Sequence, residues 1–76
     1  MKALIAYMAR NLVEDSGAVR VNEVRGDKTR VFELRVAPSD KGKVIGKQGR
    51  TIRAMRSLVN AASVRHGKRV VLDIAD

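Results

Sequence analysis

The chain has no cysteine and no tryptophan, and its 76 residues include only one phenylalanine, one tyrosine and one proline. Without cysteine neither a disulfide nor a thiolate metal site can form, so hydrophobic packing has to hold the fold together. Both aromatic residues, Tyr7 and Phe32, fall in apolar stripes. Base-stacking platforms of the kind used by RRM and OB folds are therefore excluded.

Long apolar runs are also missing. No segment approaches the roughly 20 apolar residues that a membrane-spanning helix needs. The apolar run at the start of the chain ends at Arg10, which is too early for a typical secretory signal. We therefore expect a soluble cytoplasmic protein with no membrane insertion.

Acidic residues are scarce relative to basic ones. Sixteen lysines and arginines stand against eight acidic residues, which gives a formal net charge of +8. Such a charge on a small surface favours a polyanionic partner, namely RNA, DNA or anionic lipid, and does not by itself choose among them. A chain of this length forms one small domain that buries about 60% of its unfolded surface, which disfavours a large enclosed active site.

Hydrophobic periodicity predicts a helix over residues 2–15, followed by a break at Ser16 and Gly17. A first strand follows through Val19 and Val21, is disturbed near Val24, and leads into a hairpin turn over residues 25–28. The second strand alternates through Phe32, Leu34 and Val36, and Pro38 marks its end.

The second half predicts two helices and a strand. Ser39 or Asp40 is expected to cap a short helical turn through residues 41–45. The next helix, over residues 50–65, carries a core stripe at Ile52, Met55, Val59 and Ala62, with Gly67 as its C-terminal cap. Residues 70–74 then alternate as a last strand.

The resulting order is α-β-β-α-α-β, which predicts an α+β fold. The first two strands form an antiparallel hairpin, and a right-handed crossover lays the third strand parallel to the second. We expect a three-stranded mixed sheet with three helices on one face, built as one unit over residues 1–76.

The segment of residues 44–52, Val-Ile-Gly-Lys-Gln-Gly-Arg-Thr-Ile, carries the strongest functional pattern. Glycine at positions 46 and 49 permits a positive φ and lets backbone N–H groups approach a phosphate closely. Lys47 and Arg50 supply positive charge, and a helix N-terminus follows directly. The pattern predicts a clamp for a nucleic-acid backbone.

These residues resemble the KH domain, whose hallmark is V-I-G-x-x-G-x-x-I between two helices. Because a helix and a strand precede the β-α-α-β core at about residues 29–75, the chain resembles the type II, prokaryotic form. The segment of residues 32–38 leading into residues 43–50 is similar to the small bacterial stand-alone KhpA family. The resemblance covers the whole chain.

The resemblance implies single-stranded RNA held in a narrow groove, with about four nucleotides clamped by the glycine loop. Apolar residues would flank the bases, and the far wall would be the third strand, at Val70, Val71 and Leu72, with the loop of residues 65–69. It also implies an RNA chaperone that pairs with a larger KH-containing partner of the KhpB kind and influences cell-wall growth and cell shape. The candidate RNA-binding residues are Lys43, Ile45, Gly46, Lys47, Gln48, Gly49, Arg50, Ile52, Arg53, Arg56, Lys68, Arg69 and Val71.

Several alternatives stay open or are disfavoured. A nucleotide P-loop is disfavoured because Gln48 stands where a serine or threonine would hold magnesium. The single histidine makes neither a metal site nor a catalytic pair, so we expect no enzyme activity, no metal and no cofactor. The positions of Arg53 and Arg56 fit two interpretations equally well: contact with RNA, or solvation of an exposed helix face.

Two binding alternatives remain. The first is a protein-interaction module, a homodimer or heterodimer formed through a sheet edge or through the helix that bears Met55, Leu58, Val59 and Ala62. The second is single-stranded DNA binding, because contacts to the 2′-hydroxyl cannot be read from one sequence.

Overall fold

The computed structural model describes residues 1–75, without the side chain of His66, so that part of the expected loop wall at residues 65–69 lies outside the described atoms. The helices and strands are α1 (Lys2–Leu12), β1 (Arg20–Arg25), β2 (Thr29–Arg35), α2 (Lys41–Ile45), α3 (Arg50–Ser63) and β3 (Arg69–Ile74). Short 3₁₀ turns lie at Ser16–Ala18, Pro38–Asp40, Lys47–Gly49 and Val64–His66. The predicted α-β-β-α-α-β order is confirmed.

The three strands form one mixed sheet in the order β1-β2-β3. β1 pairs antiparallel with β2, and β2 pairs parallel with β3, placing Phe32 beside Leu72. The hairpin turn closes with the Gly26 N–H donating to the Thr29 carbonyl at 2.7 Å. The predicted topology is therefore correct, and β1 and β3 are the two edges of the sheet.

The core lies between one face of the sheet and the three helices. Phe32 and Leu34 from the central strand are fully buried, together with Ile5 of α1 and Val44 of α2. The stripe of Ile52, Met55 and Val59 along α3 completes the same cluster. No helix in the described part of the chain has the length and apolar character to cross a membrane.

α1 ends at Leu12, three residues before the predicted end. Val13 is extended, and the backbone N–H groups of Glu14 and Asp15 donate to the two carboxylate oxygens of Asp40, at 3.3 and 3.1 Å. Asp40 is 1% exposed. A buried carboxylate that accepts both amides satisfies them outside the helix, so the chain leaves helical geometry at that point. Asp40 precedes α2 as predicted, but its side chain makes no capping bond there.

The predicted core stripe of α3 is wrong at its last position. Ala62 is exposed, while Ser63 is buried and its hydroxyl donates to the Asn60 carbonyl at 2.9 Å. A buried hydroxyl is tolerated because this bond satisfies it. α3 also ends at Ser63, earlier than predicted, and Gly67 follows in the left-handed conformation expected of a cap.

The predicted disturbance near Val24 does not occur, because β1 pairs regularly with β2 along its whole length. Alternation therefore turns Glu23 toward the helix side of the sheet, where its carboxylate meets Arg30 Nε at 2.7 Å. This ion pair lowers the pKa of Glu23, mainly through the Arg30 hydrogen bond. The acid accordingly occupies a position where the alternating pattern calls for an apolar residue.

Candidate nucleic-acid interface

The glycine loop contains three residues with a positive φ among residues 46–49. Gly46 has φ 77°, and Gln48 and Gly49 follow in the left-handed region at φ 57° and 72°. A Cβ atom at Gly46 would lie 2.6 Å from Thr51 Cβ and closer still to Thr51 Oγ1. Only glycine satisfies both the positive φ and this close approach, which explains the first glycine of the motif.

Backbone N–H groups at the tip of the loop are open. Gly46 N–H donates to the Gly42 carbonyl at 2.8 Å, and Gly49 N–H donates to the Gly46 carbonyl at 3.1 Å. The amides of Lys47 and Gln48 begin the 3₁₀ turn and therefore have no acceptor within it. Elsewhere in residues 1–75 neither amide has an acceptor. Two such adjacent amides beside a lysine form a site that suits a phosphate oxygen.

Two arginines of α3 contact the loop itself. Arg53 donates through Nη2 to the Gln48 carbonyl at 2.7 Å and through Nε to the Gly49 carbonyl at 3.3 Å. Arg50 donates to the Gln48 side-chain oxygen at 3.1 Å. Arg53 was expected as a ligand contact, and in this structure its guanidinium holds the left-handed backbone in place.

A groove of about 240 Å³ lies between α3 and β3. Arg56 spans it, with Nε donating to the Leu72 carbonyl at 3.0 Å. Arg56 lies three residues after Arg53, so the two arginines lie on the same side of α3. The lining residues are Arg56, Val59, Asn60, Arg69, Val70, Val71, Leu72 and Asp73.

The expected far wall consists mainly of backbone. The side chains of Val70 and Leu72 point into the core, so Val71 alternates onto the opposite, open face of the sheet, beside Val31. Arg69 is exposed and lines the groove, and the exposed Lys68 precedes it in the chain. β3 therefore presents its edge, and not its Val71 side chain, toward α3.

The apolar flank is divided between surface and core. Ile45 is 41% exposed beside the glycine loop, whereas Ile52 is 6% exposed and packs in the core. Of this pair, Ile45 alone has side-chain surface that a ligand can contact.

Lys43 is held by two carboxylates. Its Nζ is 2.9 Å from Glu14 Oε1 and 3.4 Å from Asp40 Oδ1. The hydrogen bond to Glu14, followed by the one to Asp40, raises the pKa of Lys43. The structure thus joins Arg50 and Arg53 to the glycine loop, places Arg56 and Arg69 along the groove, and pairs Lys43 with Glu14 and Asp40.

Asp40 was not among the predicted site residues. Its carboxylate joins the segment after α1 to the start of α2, the helix that leads into the glycine loop. Its pKa is lowered, mainly by the hydrogen bond from the Asp15 amide. Its partners lie 25 and 26 positions earlier in the chain, so no local pattern points to them.

Comparison with known proteins identifies relatives along the whole chain. A family model described as "KhpA/KhpB, KH domain" matches residues 2–74. The RNA-binding protein KhpA of Clostridium acetobutylicum is 49% identical over 97% of this chain and 99% of its own length. The proteins of that name from Aquifex aeolicus and Chlamydia pneumoniae are 49% and 46% identical over 100% of this chain, covering 96% and 97% of their own lengths.

Among solved structures, the chain is similar to Era, crystallised in complex with MgGDPNP and nucleotides 1506–1542 of 16S ribosomal RNA. The TM-score is 0.66 with 20% identity, over 96% of this chain and 28% of that one. At this identity the likeness concerns the fold. With three helices on a three-stranded mixed sheet, the chain has the type II KH fold and belongs to the KhpA/KhpB family of KH domains, a non-catalytic kind of domain.

Proposed function

We propose that this chain, acting as one KH unit over residues 1–76, binds single-stranded RNA and grips its backbone with residues 46–50. The observation that carries the proposal is the pair of unpaired amides at Lys47 and Gln48, next to the charges of Lys47 and Arg50. The relatives named RNA-binding protein KhpA support RNA as the ligand.

One phosphate binds the two amides, and the strand continues along α3 into the groove beside β3. Arg56 and Arg69 offer positive charge there, and the exposed side chain of Ile45 offers apolar contact near the loop. A groove of about 240 Å³ favours a single strand over a duplex as the ligand. Tyr7 was expected in an apolar stripe but is 67% exposed on α1, and it does not line this groove. Because no aromatic side chain lines the groove, phosphate charge supplies most of the affinity.

Binding is accordingly expected to be weak and sensitive to salt. With three or four phosphates neutralised, log K falls with log salt at a slope of about −2 to −3, since each contact on a single strand contributes about −0.7. Lys43 joins the contacts only by giving up Glu14, its 2.9 Å partner.

The decisive test changes Lys47 and Gln48 to aspartate, leaving both glycines in place. We expect this variant to lose binding of a fluorescent single-stranded RNA in fluorescence anisotropy, with unchanged mass in light scattering. A matched control introduces aspartate at Asn22 and Lys28, exposed positions of β1 and the hairpin turn, and keeps most of the binding. Undiminished RNA binding by the loop variant would refute the clamp.

Single-stranded DNA is the competing ligand. Titration with RNA and DNA oligonucleotides of the same sequence distinguishes the two, because only RNA offers a 2′-hydroxyl to the groove. We expect tighter binding of RNA. Equal or tighter binding of DNA would assign the site to single strands in general.

Self-association through α3 is a second candidate function, favoured by exposed apolar side chains. Leu58 is 57% exposed, and Val64, just after the helix, is 78% exposed. Met55 and Val59 belong to the core, so the available surface centres on Leu58 with Ala62. Leu58→Glu is expected to convert a dimer to a monomer in light scattering, whereas Arg53→Glu, on the loop side of α3, is expected to keep the dimer.

In the cell, we propose that the protein is a cytoplasmic RNA chaperone that works with a larger KH-containing partner of the KhpB kind and influences cell-wall growth and cell shape. The basis is the family membership. A deletion strain complemented with either the wild type or the Lys47 and Gln48 aspartate variant tests this role. We expect only the wild type to restore cell shape, and RNA crosslinked to it identifies the targets.

A further inference from the structure

A second groove lies at the opposite edge of the sheet, between α1 and β1. Its volume is about 330 Å³. Three of its seven lining residues are cationic and none is acidic. The lining residues are Lys2, Ala3, Ala6, Arg10, Val19, Arg20 and Val21.

The backbone of β1 is open along this edge. The Gly26–Thr29 hydrogen bond fixes the alternation of the hairpin, so Asn22 and Val24 exchange hydrogen bonds with β2. The N–H and C=O groups of Val21 and Glu23 therefore point away from β2. β1 has no other strand neighbour in the sheet.

The two edges of the sheet differ in whether side chains hydrogen-bond to their outward-facing backbone N–H and C=O groups. At the β3 edge, Arg56 donates to the Leu72 carbonyl. Within residues 1–75 no side chain bonds the backbone of Val21 or Glu23. An exposed row of alternating N–H and C=O groups is a template for a further strand.

Among residues 1–75, no carboxylate pairs with the three cations of the groove. The carboxylate of Glu23, the acid on β1, is already paired with Arg30 at 2.7 Å and Arg25 at 3.1 Å. Arg20 donates to the Gly17 and Val19 carbonyls, both at 2.8 Å, which keeps its guanidinium near the groove. The groove thus retains attraction for an anionic ligand.

The spacing of the cations on α1 matches an extended peptide. Lys2 and Arg10 are about 12 Å apart along the helix at 1.5 Å per residue. Residues i and i+4 of a strand are separated by about 13 Å and lie on one face. Carboxylates at alternate positions of a strand can therefore reach both cations, and Ala3 and Ala6 between them leave space for the chain.

We propose that this groove binds an extended acidic segment of a partner protein, which adds to β1 as a fourth strand and directs alternate carboxylates at Lys2 and Arg10. A nucleic acid also carries negative charge, but it does not offer the alternating N–H and C=O groups that Val21 and Glu23 would pair with. The proposal is independent of RNA binding by the glycine loop.

The test is an amide NMR titration of the full ¹⁵N-labelled chain, at low ionic strength, with the capped peptide Thr-Glu-Val-Glu-Val-Glu-Thr. We expect the largest shifts at Ala3, Ala6, Val21 and Glu23. The peptide with glutamine in place of glutamate is expected to bind at least about fivefold more weakly, through the loss of several ion pairs.

Backbone pairing is tested with two N-methylated peptides. One is methylated at the odd-numbered residues and the other at the even-numbered residues. Only one of these two sets of N–H groups faces β1, so one peptide should lose binding and the other should keep it. Equal binding by both, or by the glutamine peptide, would overturn the proposal. So would displacement of the peptide by a single-stranded RNA that shifts the same amides.

Variants complete the design. Arg10→Gln is expected to weaken peptide binding about two- to fivefold, whereas Lys28→Gln, an equal loss of charge in the hairpin turn, leaves it unchanged. The Lys47 and Gln48 aspartate variant should bind the peptide like the wild type. Peptide shifts that vanish in that variant would instead assign the binding to the glycine loop.

Discussion

The guanidinium of Arg53 donates to the main-chain oxygen of Gln48 at 2.7 Å, reaching back from the first turns of α3 to the loop that precedes it. Gln48 is the one non-glycine residue with a positive φ among residues 1–75. Left-handed geometry at such a residue costs about 1–2 kcal/mol. The Arg53 contact offsets part of that cost and fixes the direction of the neighbouring amides.

Arg53→Lys should therefore weaken RNA binding although it preserves the charge. Lysine cannot reproduce the planar fork that donates to the Gln48 and Gly49 carbonyls. We expect affinity to fall about three- to tenfold. In NMR, the Gly49 amide, which donates to the Gly46 carbonyl, should exchange faster as the loop loosens. Full affinity in the lysine variant would mean that Arg53 contributes charge alone.

Gly46→Ala and Gly42→Ala should have opposite effects on stability. Alanine at position 46 combines a φ of 77° with a collision against Thr51, so the free energy of unfolding should drop by about 1–3 kcal/mol. Gly42 lies within α2, and a Cβ there meets nothing within 4 Å. That substitution should stabilise by about 0.5–1 kcal/mol. Urea unfolding of both variants measures the contrast, and equal effects would contradict it.

Stability should decline in acid partly through Asp40. Its folded pKa lies below its ordinary value, chiefly because the Asp15 amide donates to the carboxylate. A lowered folded pKa contributes stability above about pH 4, and this contribution is lost as the pH falls through the folded pKa. Asp40→Asn should therefore unfold at lower urea near neutral pH and show a flatter decline in acid.

Asp27→Asn, in the exposed hairpin turn, is the matched control for that experiment. Unfolding midpoints measured from neutral pH down to pH ~3 should follow the wild type in this control. If the Asp40→Asn and wild-type curves run parallel, the carboxylate does not stabilise the junction in its charged form.

Glu14→Gln should raise the affinity for RNA by releasing Lys43. The Glu14 side chain is exposed and forms a 2.9 Å ion pair with Lys43 Nζ. Without it, only the longer 3.4 Å contact with Asp40 holds the lysine. The lysine can then turn toward the phosphates, and the salt slope should steepen by up to about 0.7. Glu33→Gln, on the open face of the sheet, removes the same charge as a control. An equal gain in both variants would indicate only a general change in net charge.

Local patterns predicted the parts of this molecule that depend on local structure. The alternation through Phe32 and Leu34 predicted β2, and the two glycines predicted a left-handed loop, because each pattern is decided within a few residues. The link from Asp40 to Glu14 and Asp15 was missed, since it joins distant positions through backbone amides that carry no sequence information.

The roles of individual side chains were harder to predict than the positions of the helices and strands. Arg53 and Arg56 were both predicted to contact RNA, yet their guanidiniums bond carbonyls of the protein itself. Helical spacing places a long side chain on a face, but it does not say which acceptor lies within reach. Val71 faces away from α3 because its neighbours Val70 and Leu72 both enter the core.

The parallel pairing of β3 with β2 determines when the groove between α3 and β3 is completed during synthesis. Thr29 to Leu34 pair with Arg69 to Ile74, so the intervening helices must be made and folded before these strands can join. A nascent chain whose last strand is still inside the ribosome has the glycine loop but no opposing wall. Under the proposed function, the protein can therefore hold RNA in the cleft only after residues 69–74 have emerged.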